Sequence, residues 1–116
     1  MTEQTVARFY QGWDGYQQQL IEVLAPLAPG QLALRAAPDH WSIGMLATHI
    51  VARRTVWFHL VLGEGSPDLA PLATWDGNDQ PSRTSAEIVK GLEVTWQTIQ
   101  DALSHWTPAD LDKKFQ

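Results

Sequence analysis

From Thr84 to Trp106 the apolar residues Ile88, Leu92, Trp96, Ile99, Leu103 and Trp106 fall three or four positions apart. A helix turns once in 3.6 residues and a strand alternates every second residue, so this spacing lines one face of a helix. Thr84 and Glu87 stand ahead of the stripe at the spacing of a reciprocal N-terminal cap, and Thr107-Pro108 ends it. Two earlier stretches show the same period, and no segment reads as a convincing strand. The pattern predicts an all-α fold, an up-and-down helical bundle.

The first helix is expected over Thr5 to Ala25, with Val6, Phe9, Tyr10, Trp13, Tyr16, Leu20, Val23 and Leu24 on its apolar face. Gly12 and Gly15 weaken it and mark a place where another helix packs closely. Pro26, Pro29 and Gly30 stop the pattern, and Gln31 to Trp41 reads as an irregular linker anchored by Leu32 and Leu34. Ser42 is the expected N-cap of the second helix, with Asp39 as the alternative. That helix runs to Leu62 and stops at Gly63. Ile43, Leu46, Ile50, Trp57 and Val61 form its main stripe, and Met45, Val51, Val56, Phe58 and Leu60 widen it. So broad an apolar surface predicts an inner helix with several neighbours. Glu64 to Pro81 reads as a long loop, in which Trp75 is a packing residue. Ala109 to Gln116 reads as the start of a connection. Residues 1–116 are expected to form a single domain.

Charge removes several functional classes. The net charge is −5, and Arg53-Arg54 and Lys113-Lys114 are the only basic pairs, so a nucleic-acid partner is not expected. Cysteine is absent, which excludes disulfides, thiolate ligands and a cysteine nucleophile. His49, Arg53, Arg54 and His59 interrupt the most apolar helix, so no membrane span is expected. Met1 to Thr5 lacks the basic and apolar parts of a signal peptide, and a cytoplasmic location is the expectation. Only 18% of residues are charged, which points to apolar surface covered by something else.

The chain has four histidines, His40, His49, His59 and His105. His49 and His59 stand ten residues apart on one helix, about 15 Å, and cannot share an ion within a subunit. No two histidines have the spacing of helical neighbours. On the residues alone, His49 is a histidine at the border of an apolar stripe, bonded to backbone or water. His59 reads as a surface residue, His40 as a turn residue, and His105 as a partner of the third helix's C-terminal dipole. Asp76, Asp79, Ser82 and Ser85 have no histidine at a meaningful spacing, so no catalytic triad is recognisable. Asp14, Glu22, Glu93 and Asp101 read as solvated helix faces.

Four pieces of the chain together resemble the DinB-like superfamily, which includes the YfiT-like and mycothiol-dependent groups. They are Leu27-Ala28-Pro29-Gly30-Gln31-Leu32, Trp41-Ser42-Ile43-Gly44, Leu46-Ala47-Thr48-His49-Ile50 and Ser104-His105-Trp106-Thr107-Pro108-Ala109-Asp110-Leu111. The resemblance implies an up-and-down four-helix bundle, commonly a dimer. It implies a divalent metal held by one histidine of the second helix and an HxxxH pair of the fourth. His49 matches the first ligand, and the other two have no counterpart. Met45 stands where relatives often carry an acidic residue. The resemblance also implies thiol-dependent transfer or isomerisation at the metal.

The expectation is therefore three helices of a DinB-like bundle, C-terminally short, with an incomplete metal site and no robust activity alone. No cofactor is expected in the monomer, and Zn or Ni is expected where the site is completed. A homodimer is the expected assembly. One alternative is a metal-dependent thiol transferase or isomerase with ligands completed across that dimer, acting with a small thiol. The other is a binding module whose apolar groove takes a partner helix or an apolar ligand.

Overall fold

The computed structural model describes residues 12–77 and 80–110. Three long helical stretches form the body: α1 (Trp13–Leu24), α3 (Ile43–Arg54), which continues as a π-helical stretch over Thr55–Val61, and α4 (Ser85–His105). Between α1 and α3 lies a one-turn helix, α2 (Pro29–Leu32), and between the π stretch and α4 lies a 3-10 helix, Pro67–Thr74. The architecture is an all-α helical bundle, as the periodicity predicts. The short 3-10 helix is the ordered element that the sequence reading of the long loop lacked.

Neighbouring helices do not all alternate in direction. Ala47 and Val51 share a core with Ile88 and Leu92, whereas Phe58 and Leu62 pack on Ile99, Leu103 and Trp106. Positions rise together in both elements, so α3 and α4 run parallel. The long connection from Gly63 to Thr84 makes this possible, because it returns the chain to the end of the bundle where α3 began. On the other flank α1 runs antiparallel to α4: Trp96 Nε1 donates to Asp14 Oδ1 at 3.1 Å, and Gln17 Nε2 donates to the Leu92 carbonyl at 3.1 Å.

The helix ends follow from side-chain chemistry. The Ser42 hydroxyl accepts from Met45 N at 3.1 Å, fixing the start of α3. Thr84 and Glu87 form the expected reciprocal cap of α4, with Glu87 N donating to Thr84 Oγ1 at 3.2 Å and Thr84 N donating to Glu87 Oε1 at 3.1 Å. The Thr84 backbone N–H bond, more than any other contact, holds the Glu87 carboxyl below its ordinary value, with the Thr84 hydroxyl and Arg83 adding to it. A carboxyl lowered in the folded state favours folding above its unfolded pKa, and that contribution is lost as pH falls through the folded value. The α4 cap therefore weakens in acid, below the ordinary carboxylate range. Thr84→Ala is expected to lower stability by about 1 kcal/mol at neutral pH, measured by urea unfolding, with a smaller difference in acid.

A second reciprocal cap follows α4. Thr107 N donates to Asp110 Oδ2 at 2.9 Å, and Asp110 N donates to Thr107 Oγ1 at 3.3 Å. Pro108 takes the first helical position, and residues 108–110 are helical, at the start of the stretch read from the sequence as a connection. Leu111 and Phe115 lie outside the described residues, as do Val6, Phe9 and Tyr10 of the first stripe.

Packing corrects the faces assigned to the helices. Within α1, Gln17 and Leu24 are buried while Tyr16 and Val23 are exposed. Within α3 and the π stretch the small residues Ala47, Thr48, Val51, Ala52 and Thr55 face inward. Three large residues of the expected stripe point outward, Leu46, Trp57 and Val61 being 51%, 54% and 58% exposed, while Ile43 and Ile50 pack partly buried against the core. Small side chains let α3 approach α4 closely, and that approach selects the buried face over bulk hydrophobicity. Close approach also falls at other glycines than expected. A Cβ on Gly91 would sit 3.0 Å from Trp75 and 3.1 Å from Val51, whereas Gly12 and Gly15 face open space. Leu32 is buried as expected, but Leu34 is exposed.

A polar knot ties the three long elements where they meet. Arg54 Nη1 donates to the Leu92 carbonyl at 3.2 Å, its guanidinium lies 5.8 Å from the Trp96 ring, and Thr95 Oγ1 donates to the Gly91 carbonyl at 2.7 Å. Burial lowers the pKa of Arg54 by disfavouring its charged form.

Candidate functional site

The parallel course of α3 and α4 brings α2, the first turns of α3 and loop residues 75–77 and 80–83 to one end of the bundle. There they enclose an open cleft of about 400 Å³. Trp41, Met45 and Trp75 supply apolar wall, while Arg35, Asp76 and Arg83 supply charge. Gly44 lets this end close up, because a Cβ there would stand 3.3 Å from the Leu32 carbonyl oxygen. Trp75 does more than pack: it joins the main core and also lines the cleft.

His49 lies two turns into α3 beside the cleft. Its Nδ1 is 2.8 Å from Asp76 Oδ2, and its ring meets Trp41 edge-on with centroids 4.8 Å apart. A carboxylate only accepts, so the contact calls for a proton on Nδ1, and in the neutral ring Nε2 is then the nitrogen with the lone pair. The side chains are partly exposed, 36% for His49 and 23% for Asp76. The backbone-or-water role expected for His49 is thus corrected to a carboxylate partner. Asp76, which the sequence reading left without a histidine, is that partner: it stands 27 positions away, and only the return of the long loop brings it to α3.

The other histidines do not converge on His49. His40 is exposed, with Nε2 4.0 Å from Asp39 Oδ1. His59 Nδ1 is 2.7 Å from the Glu64 carbonyl oxygen, a half-buried backbone contact in place of the expected free surface. His105 Nε2 lies 3.4 Å from Glu64 Oε2 at the far end of α4. Among the described residues no three His, Asp or Glu side chains form a group able to hold a metal ion. The hydroxyls beside His49 are also committed, Ser42 to Met45 N and Thr48 to the Met45 carbonyl. No hydroxyl–histidine–carboxylate relay is present among these residues. Of the four acidic residues read as solvated, Asp14 and Asp101 accept side-chain hydrogen bonds on exposed surface, from Trp96 and Gln97. Asp79 lies outside the described residues.

A family model described as the DinB superfamily matches residues 13–116. The chain belongs to the DinB superfamily. No curated protein and no solved structure matches it. The family match spans the whole of the described bundle, including the cleft, His49 and Asp76. No helix among the described residues of this DinB domain is long and apolar enough to cross a membrane. The residues described fit a divalent metal only in part: they offer one imidazole with a carboxylate behind it. That pair is a common way to fix a metal-binding histidine, because the carboxylate sets the tautomer and raises the basicity of the ligating nitrogen.

Proposed function

We propose that this DinB domain carries one corner of a divalent-metal site, with His49 Nε2 as the ligand and Asp76 as the group that orients it. The reading rests on the 2.8 Å contact between His49 Nδ1 and Asp76 Oδ2. A protein site for Zn or Ni takes three or more side-chain ligands. The ligands that complete this one come from outside the described residues. The domain alone therefore has no robust catalytic activity. A metal held there would supply Lewis acidity that lowers the pKa of a small thiol, the chemistry that thiol-dependent transfer or isomerisation needs. Metal analysis of the purified chain tests this. The expected result is sub-stoichiometric Zn or Ni, with weak binding that disappears in His49→Ala. Tight, stoichiometric metal on a monomer would overturn the incomplete-site reading.

A second reading places the missing ligands on another copy of the chain. It is favoured by exposed apolar residues on the helical run that carries His49: Leu46, and beyond the exposed Arg53 the group Trp57, Leu60 and Val61. Two-fold pairing on these residues gives a homodimer in which each copy contributes to the other's site. Sedimentation with and without Zn is the test, and the expected result is a metal-strengthened dimer lost in Trp57→Glu. A chain that stays monomeric with Zn present would remove this second reading and leave the first.

A further inference from the structure

The lining of the cleft beside His49 has more basic than acidic side chains, on a chain whose net charge is −5. Its lining includes two guanidinium groups, Arg35 and Arg83. Asp76 is the one carboxylate of that lining, and His49 already engages it. Each guanidinium carries five donors. Arg35 commits Nη1 to the His40 carbonyl at 2.7 Å. Arg83 commits Nη2 to Gln80 Oε1 at 2.8 Å and stands 3.5 Å from Glu87 Oε2 through Nη1. Its Nε is buried and meets no acceptor.

Arg83 is therefore a cation held in place at the cleft wall by Gln80 and Glu87, and the long 3.5 Å contact of Nη1 is the one a ligand can replace. Its guanidinium lies over the Trp75 ring at 4.6 Å, which fixes its plane without using any donor. The Ser42 cap of α3 is a neutral hydroxyl, and the first turn of α3 has no acidic residue. The positive end of that helix dipole is thus left uncompensated by side chains at the same cleft. The remaining wall mixes the apolar residues Trp41, Trp75, Leu32 and Met45 with the polar residues Ser42, Thr48, Gln80 and Ser82. A cleft of about 400 Å³ is the size of a small-molecule site.

We propose that this cleft binds a small organic acid, its carboxylate paired with Arg83 and Arg35 and its apolar body laid between Trp41 and Trp75. The pairing is charge-assisted and suits the planar fork of a guanidinium. Glu87, which the ligand's carboxylate would displace from Arg83, keeps its bond to Thr84 N, so the exchange does not undo the α4 cap. The inference names a ligand class and needs no metal at His49.

The test is a titration of the whole chain in the presence of a chelator, so that its outcome is independent of the metal reading. The probes are 4-phenylbutyrate, 4-phenylbutyramide and inorganic phosphate, followed by the indole and guanidinium N–H resonances in proton–nitrogen spectra. The expected result is saturable binding of the acid that moves Trp41, Trp75 and Arg83 signals. The amide is expected to bind roughly tenfold more weakly, and Arg83→Gln to weaken the acid by a similar factor. Phosphate alone is expected to bind more weakly than the acid. Three results would overturn the proposal: acid and amide binding equally, phosphate matching the acid, or no saturable shift at these residues. The acid–amide comparison is made on the unaltered chain, so it stands even where Arg83→Gln fails to fold.

Discussion

Leu92→Ala is expected to lower the stability of the domain by roughly 3 kcal/mol, the middle of the range for a buried leucine truncated in a rigid core. Leu92 is fully buried, and it sits where all three long elements meet. Its side chain packs with Val51 and Ile88, while its carbonyl receives Gln17 and Arg54. Truncation leaves a cavity that the surrounding helices cannot collapse to fill without breaking those bonds. A loss of that size corresponds to a fall in melting temperature on the order of 10 °C. Leu46→Ala is the control, because Leu46 is half exposed, and its effect is expected to stay within about 0.5 kcal/mol. Thermal unfolding followed by circular dichroism measures both. Equal effects would mean that the buried face of α3 and α4 has been assigned wrongly.

Asp76→Ala is expected to weaken Zn binding at His49 by about tenfold or more, the usual cost of removing the group behind a ligating imidazole. Asp76 touches no metal in this account. It acts by holding the ring, so its removal frees the imidazole to rotate and to exchange tautomers. His49→Ala removes the ligand itself and is expected to abolish binding at this position. Asp76→Glu has the right chemistry but a longer reach, and partial recovery is expected. The measurement is a Zn titration monitored at the His49 ring resonances. A purely structural role for Asp76 would leave the affinity unchanged while lowering the melting temperature.

Much of the bundle was legible in local pattern. Ser42, the Thr84–Glu87 box and the stop at Gly63 were readable because caps and turns are set by residues only a few positions apart. Gly63 adopts φ +74°, a conformation that favours glycine. The α4 stripe was readable because Ile88, Leu92, Ile99 and Leu103 all point at one long interface. The α3 face was misread for the converse reason. Periodicity weights bulk, and here Ala47, Ala52 and Thr55 are inside while Leu46 and Trp57 are outside. The parallel course of α3 and α4 was likewise invisible, because direction is decided by the long connection and no local signal encodes it.

The site was legible only in part, and for the same reason. His49 stood out through its place two turns beyond Ser42 and through the family resemblance. Asp76 and Arg83 lie in or just after a loop whose path depends on the whole fold, so no spacing connects them to His49 or to Trp41. The one local hint was Trp75-Asp76-Gly77, an aromatic and a carboxylate at a turn inside a long connection. That hint gains meaning only once Gly91 is seen to receive Trp75, which anchors the turn against α4.

The Asp76 carboxylate is expected to hold the neutral His49 ring with its proton on Nδ1. Long-range proton–nitrogen spectra of the imidazole report that directly. Neutral His49 is expected to show the Nδ1–H tautomer in the unaltered chain and to shift toward the Nε2–H form in Asp76→Ala. A His49 that is Nε2–H in the unaltered chain, or whose signature is the same in both proteins, would contradict the account.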